Sequence, residues 1–158
     1  MAVVNQNSNA IAAFITNTQV SSYTTLGDPL ESVGFTPVAT TDSINSTYRL
    51  VRIKSSCRVA SLFVVNDALT TSAYNIGLYN INGGAAVNAT LFGSAISLAT
   101  AGRSELLTGA ITAANIEKRV WELLGLAKDP YVDYDLVFTT TTAATAAGNI
   151  GVRCQQTY

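Results

Sequence analysis

From Ser43 to the C-terminus the chain runs as short apolar and β-branched stretches separated by turn signals. That punctuation leaves little room for anything but an all-β fold. Val51-Arg52-Ile53-Lys54 alternates apolar and basic residues, as a half-buried strand does. Cys57 to Val65 is a longer apolar run, rich in β-branched and aromatic residues, which predicts deeper burial. Tyr74, Ile76 and Leu78 share one strand face, and Asn82-Gly83-Gly84 supplies residues that accept positive φ at a turn. Ala85 to Leu98 reads as one or two weak strands and Leu106 to Ile111 as another. Near the end, Tyr134, Leu136 and Phe138 alternate with Asp133, Asp135 and Val137, and Ile150, Val152 and Cys154 alternate with Gly151, Arg153 and Gln155. The intervening Thr139 to Asn149 holds only Thr, Ala, Gly and Asn, and reads as the ends and exposed tip of a hairpin.

One helix is expected, over Ala113 to Leu124. Ile116, Val120, Leu123 and Leu124 fall on one helical face, Thr112 is placed to cap the start, and Gly125 stands where a left-handed residue ends a helix. Lys118 and Glu122 are spaced for a weak pair along it. Many short strands with one short helix predict a jelly roll or β-sandwich over residues 43–158.

The N-terminal part differs in kind. No charged side chain occurs before Asp28, and the leader holds few large apolar residues. Such a segment builds no core of its own and is poorly solvated as a free tail. Residues 1–27 are therefore expected to form an extended arm that orders against another subunit, with Val3, Val4, Ile11, Phe14 and Ile15 as its apolar anchors. Residues 28–42, which carry Asp28-Pro29 and Thr36-Pro37, read as a connecting segment.

Charge is scarce throughout. Asp, Glu, Lys and Arg make up 12% of the 158 residues, against roughly 25% in an ordinary soluble protein. Their place is taken by Ala, Thr, Ser and Asn rather than by large apolar groups. This fits a surface covered by neighbours, since surface charge keeps proteins apart. A net charge of −1 gives no general pull toward nucleic acid or an anionic membrane. No apolar run approaches the roughly 18 residues of a membrane span, and the leader lacks the basic start of a signal peptide, so use without export is expected. Cys57 and Cys154 both sit in expected strands and are expected to be free buried thiols.

The equipment of most enzymes is missing from the sequence. There is no histidine, which removes the commonest general base and the commonest metal ligand, and no metal or cofactor site is expected. Neither a phosphate loop nor a nucleophile elbow is present. Asp133 and Asp135 share a strand face about 7 Å apart, a spacing open to paired glycosidase acids but read here as two solvent-facing residues. The one charged constellation is Arg49, Arg52, Lys54 and Arg58, with no acid among them. It reads either as contact with an acidic patch on a partner or as a solvated strand face. Only Tyr48 lies near, which argues against a nucleic-acid stacking platform.

Several stretches carry a resemblance: Ser46-Thr47-Tyr48-Arg49-Leu50-Val51-Arg52-Ile53, Asn75-Ile76-Gly77-Leu78-Tyr79, Ala86 to Ala95, Glu117 to Leu126, and Tyr134-Asp135-Leu136-Val137-Phe138-Thr139. Together they resemble the cement or decoration proteins of tailed-bacteriophage heads, over about residues 46–158. The resemblance implies a non-enzymatic virion protein of jelly-roll or sandwich fold, often dimeric. Such a protein is made in the host cytoplasm and sits on the capsid surface, binding the major capsid protein and bridging its subunits. It implies no cofactor, no nucleic acid and no membrane. An alternative from another class is a host-recognition or carbohydrate-binding module on the virion, which would group exposed aromatic residues in a cleft; Tyr48, Tyr74, Tyr79 and Tyr134 sit instead at strand positions that core or strand-pair packing explains more simply.

Overall fold

A computed structural model describes residues 2–9, 11, 30–107 and 111–158. Among the described residues nine strands form two sheets: β1 (Asn5–Asn7), β2 (Leu30–Val38), β3 (Thr47–Lys54), β4 (Arg58–Asn66), β5 (Ala73–Asn80), β6 (Ala86–Ser97), β7 (Gly102–Glu105), β8 (Asp133–Thr142) and β9 (Gly148–Thr157). One sheet has the order β1-β3-β8-β5-β6 and the other β2-β9-β4-β7. Setting β1 aside, the chain crosses between sheets at every connection but one, the β5–β6 hairpin. This is the strand order of an eight-stranded jelly roll. The expected fold class, an all-β sandwich with one short helix, is what the chain adopts.

The alternation in sequence sets the two inner faces. Leu50, Ile53, Tyr74, Ile76, Leu78, Leu136 and Phe138 from one sheet meet Leu62, Val64, Ile150, Val152 and Cys154 from the other, all buried. Tyr74 lies between Tyr48 and Phe138, with ring centroids 6.1 Å and 6.2 Å away, within the usual range for paired rings. The Tyr48 hydroxyl donates to Asp42 Oδ2 at 2.7 Å, which satisfies a polar tip inside the core. Gly34 brings β2 close to β3: a Cβ there would sit 2.0 Å from the Leu50 carbonyl oxygen.

Several elements fall elsewhere than expected. Residues 30–38, within the expected connecting segment, form β2, which pairs with β9 over its whole length. Pro37 is tolerated because β2 is an edge strand. Strands β8 and β9 do not make a hairpin; they lie in different sheets, and Ala144 in the crossing is buried. Ala86–Ser97 is one strand with register shifts, and a seventh strand is Gly102–Glu105; residues 108–110 of the expected strand Leu106 to Ile111 lie outside the described residues. Leu106 and Leu107 instead turn into the core.

The helix shrinks to α1 (Val120–Leu123). Its first N–H groups are taken by the turn before β4: Val120 N donates to the Cys57 carbonyl at 2.9 Å and Trp121 N to the Ser55 carbonyl at 3.1 Å. That docking fixes where the helix begins. Ile116, expected on the apolar face, is 62% exposed in the turn ahead of it. The helix-start capping comes from Glu122, whose Oε2 accepts from Arg119 N at 2.8 Å, in place of Thr112 and of a Lys118–Glu122 pair. Gly125 does end the helix, at φ +72°.

Candidate partner-contact surfaces

The basic group is the first candidate, and the fold turns most of it inward. Asp135 on β8 faces Arg52 on β3 in register, on the side of the five-stranded sheet away from the core. Asp135 is completely buried there, which corrects the expectation of a solvent-facing acid. Its Oδ2 lies 3.2 Å from Arg49 Nη1 and its Oδ1 3.1 Å from Arg52 Nε. Arg49 also donates to the Asn80 carbonyl at 3.0 Å and the Gly84 carbonyl at 2.8 Å, and lies 5.5 Å from the centre of the Tyr79 ring. One guanidinium thus ties β3, β8 and the β5–β6 turn together. A buried charge persists only when paired and fully hydrogen-bonded, and Arg49 and Asp135 meet that condition together.

The backbone of β6 at Asn88 and Ala89 passes close to Gly77 on β5: a Cβ there would sit 2.0 Å from the Asn88 oxygen. The remaining basic residues also have partners. Lys54 Nζ donates to the Tyr158 hydroxyl at 3.1 Å, and Arg58 is ion-paired with Glu117.

The N-terminal segment is the second candidate. Strand β1 pairs in parallel with β3, Asn5 opposite Thr47 and Asn7 opposite Arg49. Val4 N donates to Ser46 Oγ at 3.2 Å, Thr47 N to the Val4 carbonyl at 2.8 Å, and Ser8 N to the Arg49 carbonyl at 2.6 Å. Ser8 Oγ donates to the Leu50 carbonyl and accepts from Ile11 N. Ile11 is wholly buried and Val4 packs on the core. Of the five anchors named from sequence, these two are taken up by the chain's own domain, and Val3 is exposed. Phe14 and Ile15 lie outside the described residues.

A third surface was not anticipated. The outer face of the four-stranded sheet carries Val33, Phe35 and Val65 at 56%, 54% and 51% exposure. In register they form the row Phe35, Gly151, Val65, Arg103 across β2, β9, β4 and β7. The Arg103 guanidinium lies 4.1 Å from the centre of the neighbouring Phe63 ring, and Arg153 is ion-paired to Glu31 at 2.7 Å. The signal was present in sequence as Glu31, Val33, Phe35 and Pro37 on alternate positions, but only the pairing of β2 with β9 shows that these point outward.

Tyr48, Tyr74, Tyr79 and Tyr134, read from sequence as packed strand residues, are all buried. Cys57 and Cys154 are free, and burial pushes the Cys154 thiol up to about 12 and the Cys57 thiol upward as well. Among the described residues no three His, Cys, Asp or Glu side chains gather in a form that could hold a metal ion, and no helix is long and apolar enough to cross a membrane.

No protein-family model matches the sequence, and no curated protein matches it. Solved structures are similar in fold. A chain of the capsid of Ralstonia phage GP4 superposes with a TM-score of 0.65 at 9% identity, over 98% of this chain and 97% of that one. A chain of the cyanophage Pam1 capsid asymmetric unit superposes with a TM-score of 0.58 at 15% identity, over 87% of this chain and 90% of that one. At such identities the likeness is one of architecture, and it runs nearly end to end: this jelly roll has the fold of chains found in phage capsids.

Proposed function

We propose that this protein is a structural component of a phage virion that sits on the capsid surface and bridges neighbouring major capsid subunits. The observation that carries the reading is the nearly complete overlap with a chain of the Ralstonia phage GP4 capsid, 98% of this chain against 97% of that one. Fold alone does not assign function, but the composition adds to it. Low charge suits a surface hidden by neighbours, and the sequence offers no histidine for acid–base chemistry. The acids Asp133 and Asp135 supply no catalytic pair either, because Asp135 is sealed between two arginines.

In this reading the protein is made in the host cytoplasm, pairs as a homodimer and needs no cofactor. The charge-free N-terminal segment contributes to attachment through Val3, which is exposed, and through Phe14 and Ile15. The basic group is an internal clamp first, and only its exposed edges are available to a partner.

Purified protein added to capsids that lack it tests this. Saturable co-sedimentation, with a rise in the temperature at which the capsids open, is the expected result. Absence of binding at micromolar protein would overturn the reading. Replacing Phe14 and Ile15 together by serine should weaken binding at least tenfold while leaving the melting temperature of the free domain unchanged. Unchanged binding would remove this segment from the attachment.

A further inference from the structure

The outer face of the four-stranded sheet combines two features that the chain's own packing leaves unexplained. The first is its exposed apolar character at Val33, Phe35 and Val65. The second is Gly151, which stands between Phe35 and Val65 in register. Glycine in a strand interior weakens the strand, so its presence there calls for a reason. Gly151 is not required by φ, and a Cβ on it would meet its nearest neighbours at 3.7 Å, an ordinary contact. By contrast, Gly34 on the adjacent β2 and Gly77 on β5 of the other sheet are each demanded by a backbone oxygen 2.0 Å from where a Cβ would stand. Gly151 leaves a hole in an exposed surface, with an aromatic ring on one side and an aliphatic knob on the other.

The row across the sheet reads ring, hole, knob, cation: Phe35, Gly151, Val65, Arg103. We propose that this face pairs with the same face of a second copy about a twofold axis parallel to the strands, the axis passing between β9 and β4. Such an axis reverses strand order and keeps position along the strand. It lays Val65 of each copy over Gly151 of the other, and the Arg103 guanidinium of each over the Phe35 ring of the other. Every element of the row meets its complement twice, which is what an isologous contact requires.

Arg103 is suited to the role. One face of its guanidinium already lies on Phe63 at 4.1 Å, and it takes part in none of the ion pairs among the described residues. The opposite face is available to a second ring, a contact that gains when water is excluded. Of the other charges of the face, Glu31 and Arg153 neutralise each other within the chain, and Glu105 accepts from the Leu62 and Leu107 N–H groups.

The size of the face sets the strength. Four strands about 4.8 Å apart and about seven residues long present roughly 400 Å² per copy. That is about half of the roughly 800 Å² per partner of a standard interface. A weak dimer is therefore expected in solution, with dissociation in the range of tens of micromolar, strengthened where copies are held side by side. The inference rests on the dimer assumed in the proposed function and names its surface.

Sedimentation equilibrium of the full chain without capsids tests it, together with thiol cross-linking. Wild type should pass from monomer to dimer over about 1–300 μM. Phe35→Arg and Arg103→Glu should each weaken pairing at least tenfold, and the double variant should recover to within about threefold of wild type. Within one chain these two positions lie three strand spacings apart, about 14 Å, so the rescue has to act between copies. A mixture of Val65→Cys and Gly151→Cys proteins should cross-link faster than either protein alone. Wild type that stays monomeric across the range, a double variant as weak as the singles, or cross-linking no faster in the mixture would each overturn the pairing. A monomeric wild type whose capsid binding is lost in Phe35→Arg would assign the face to a capsid subunit instead. Wild type that dimerises through this face yet does not bind capsids leaves the pairing standing and overturns the capsid reading.

Discussion

The outer faces of the two sheets invert each other. On the five-stranded sheet the outer face is charged and closed: Arg49 and Arg52 are both paired to the buried Asp135, and Arg49 is tied to the β5–β6 turn. On the four-stranded sheet it is apolar and open, with Val33, Phe35 and Val65 each more than half exposed. Charge is not a guide to contact here, nor is apolarity a guide to the core. The charges hold the sandwich together where they are sealed, and the apolar side chains are offered where nothing among the described residues covers them. Exposed Leu or Val residues scattered singly need no explanation, but a contiguous row of them does.

The sharpest way to break the comparison is at the sealed charge. Asp135→Ala leaves two largely buried guanidinium groups without their carboxylate, and should lower unfolding stability by about 3–5 kcal/mol, measured by urea denaturation. A loss under about 1 kcal/mol would mean that the face is open after all. The next effect is at Ile11. If it belongs to the domain core, Ile11→Ala should cost about 2–5 kcal/mol in the free protein, whereas an anchor waiting for a partner would leave free stability unchanged.

The glycines separate the two faces more finely. Gly34→Ala forces a methyl against the Leu50 carbonyl and should cost about 1–3 kcal/mol or prevent folding. Alkaline titration comes next. Burial raises the Cys154 thiol and the Tyr74 hydroxyl each to about 12, and raises Tyr48 as well. The folded state holds these protons more tightly than the unfolded chain, so their contribution is complete below about pH 9 and is lost as pH climbs toward 12. Thermal melts should fall accordingly, by about 1–2 kcal/mol of stability at pH 10, and native thiols should resist a thiol reagent at pH 8. The smallest effect belongs to the open face: Gly151→Ala should change stability by no more than about 0.5 kcal/mol. A larger loss would show that the chain needs this glycine for itself.

Strand identity was legible wherever alternation was strict. Val51 to Lys54, Tyr74 to Leu78, Tyr134 to Phe138 and Ile150 to Cys154 all read correctly, because a half-buried strand imposes a period of two on its side chains. The turn at Asn82-Gly83 was also legible, since Asn82 at φ 57° and Gly83 at φ 81° adopt the conformation that those residue types favour. The helix was overcalled, because the spacing of Ile116 with Val120 says nothing of the carbonyls at Ser55 and Cys57 that fix the helix start. Strand β2 was missed because Pro37 and the two prolines' surroundings look like a connector until an edge position makes them acceptable.

By itself, then, the sequence determined a low-charge, nearly all-β chain without histidine, whose folded part alternates in and out. Local steric and hydrophobic rules act over a few residues, and they suffice for that. Only the tertiary structure decided which face each residue joins across the sheets. Asp135 meets Arg49 across 86 positions of sequence, and Phe35, Gly151, Val65 and Arg103 become neighbours only when four distant strands align. Register between strands is set by the whole core at once, and a shift of one residue would turn a strand's core side chains outward and its outer ones into the core.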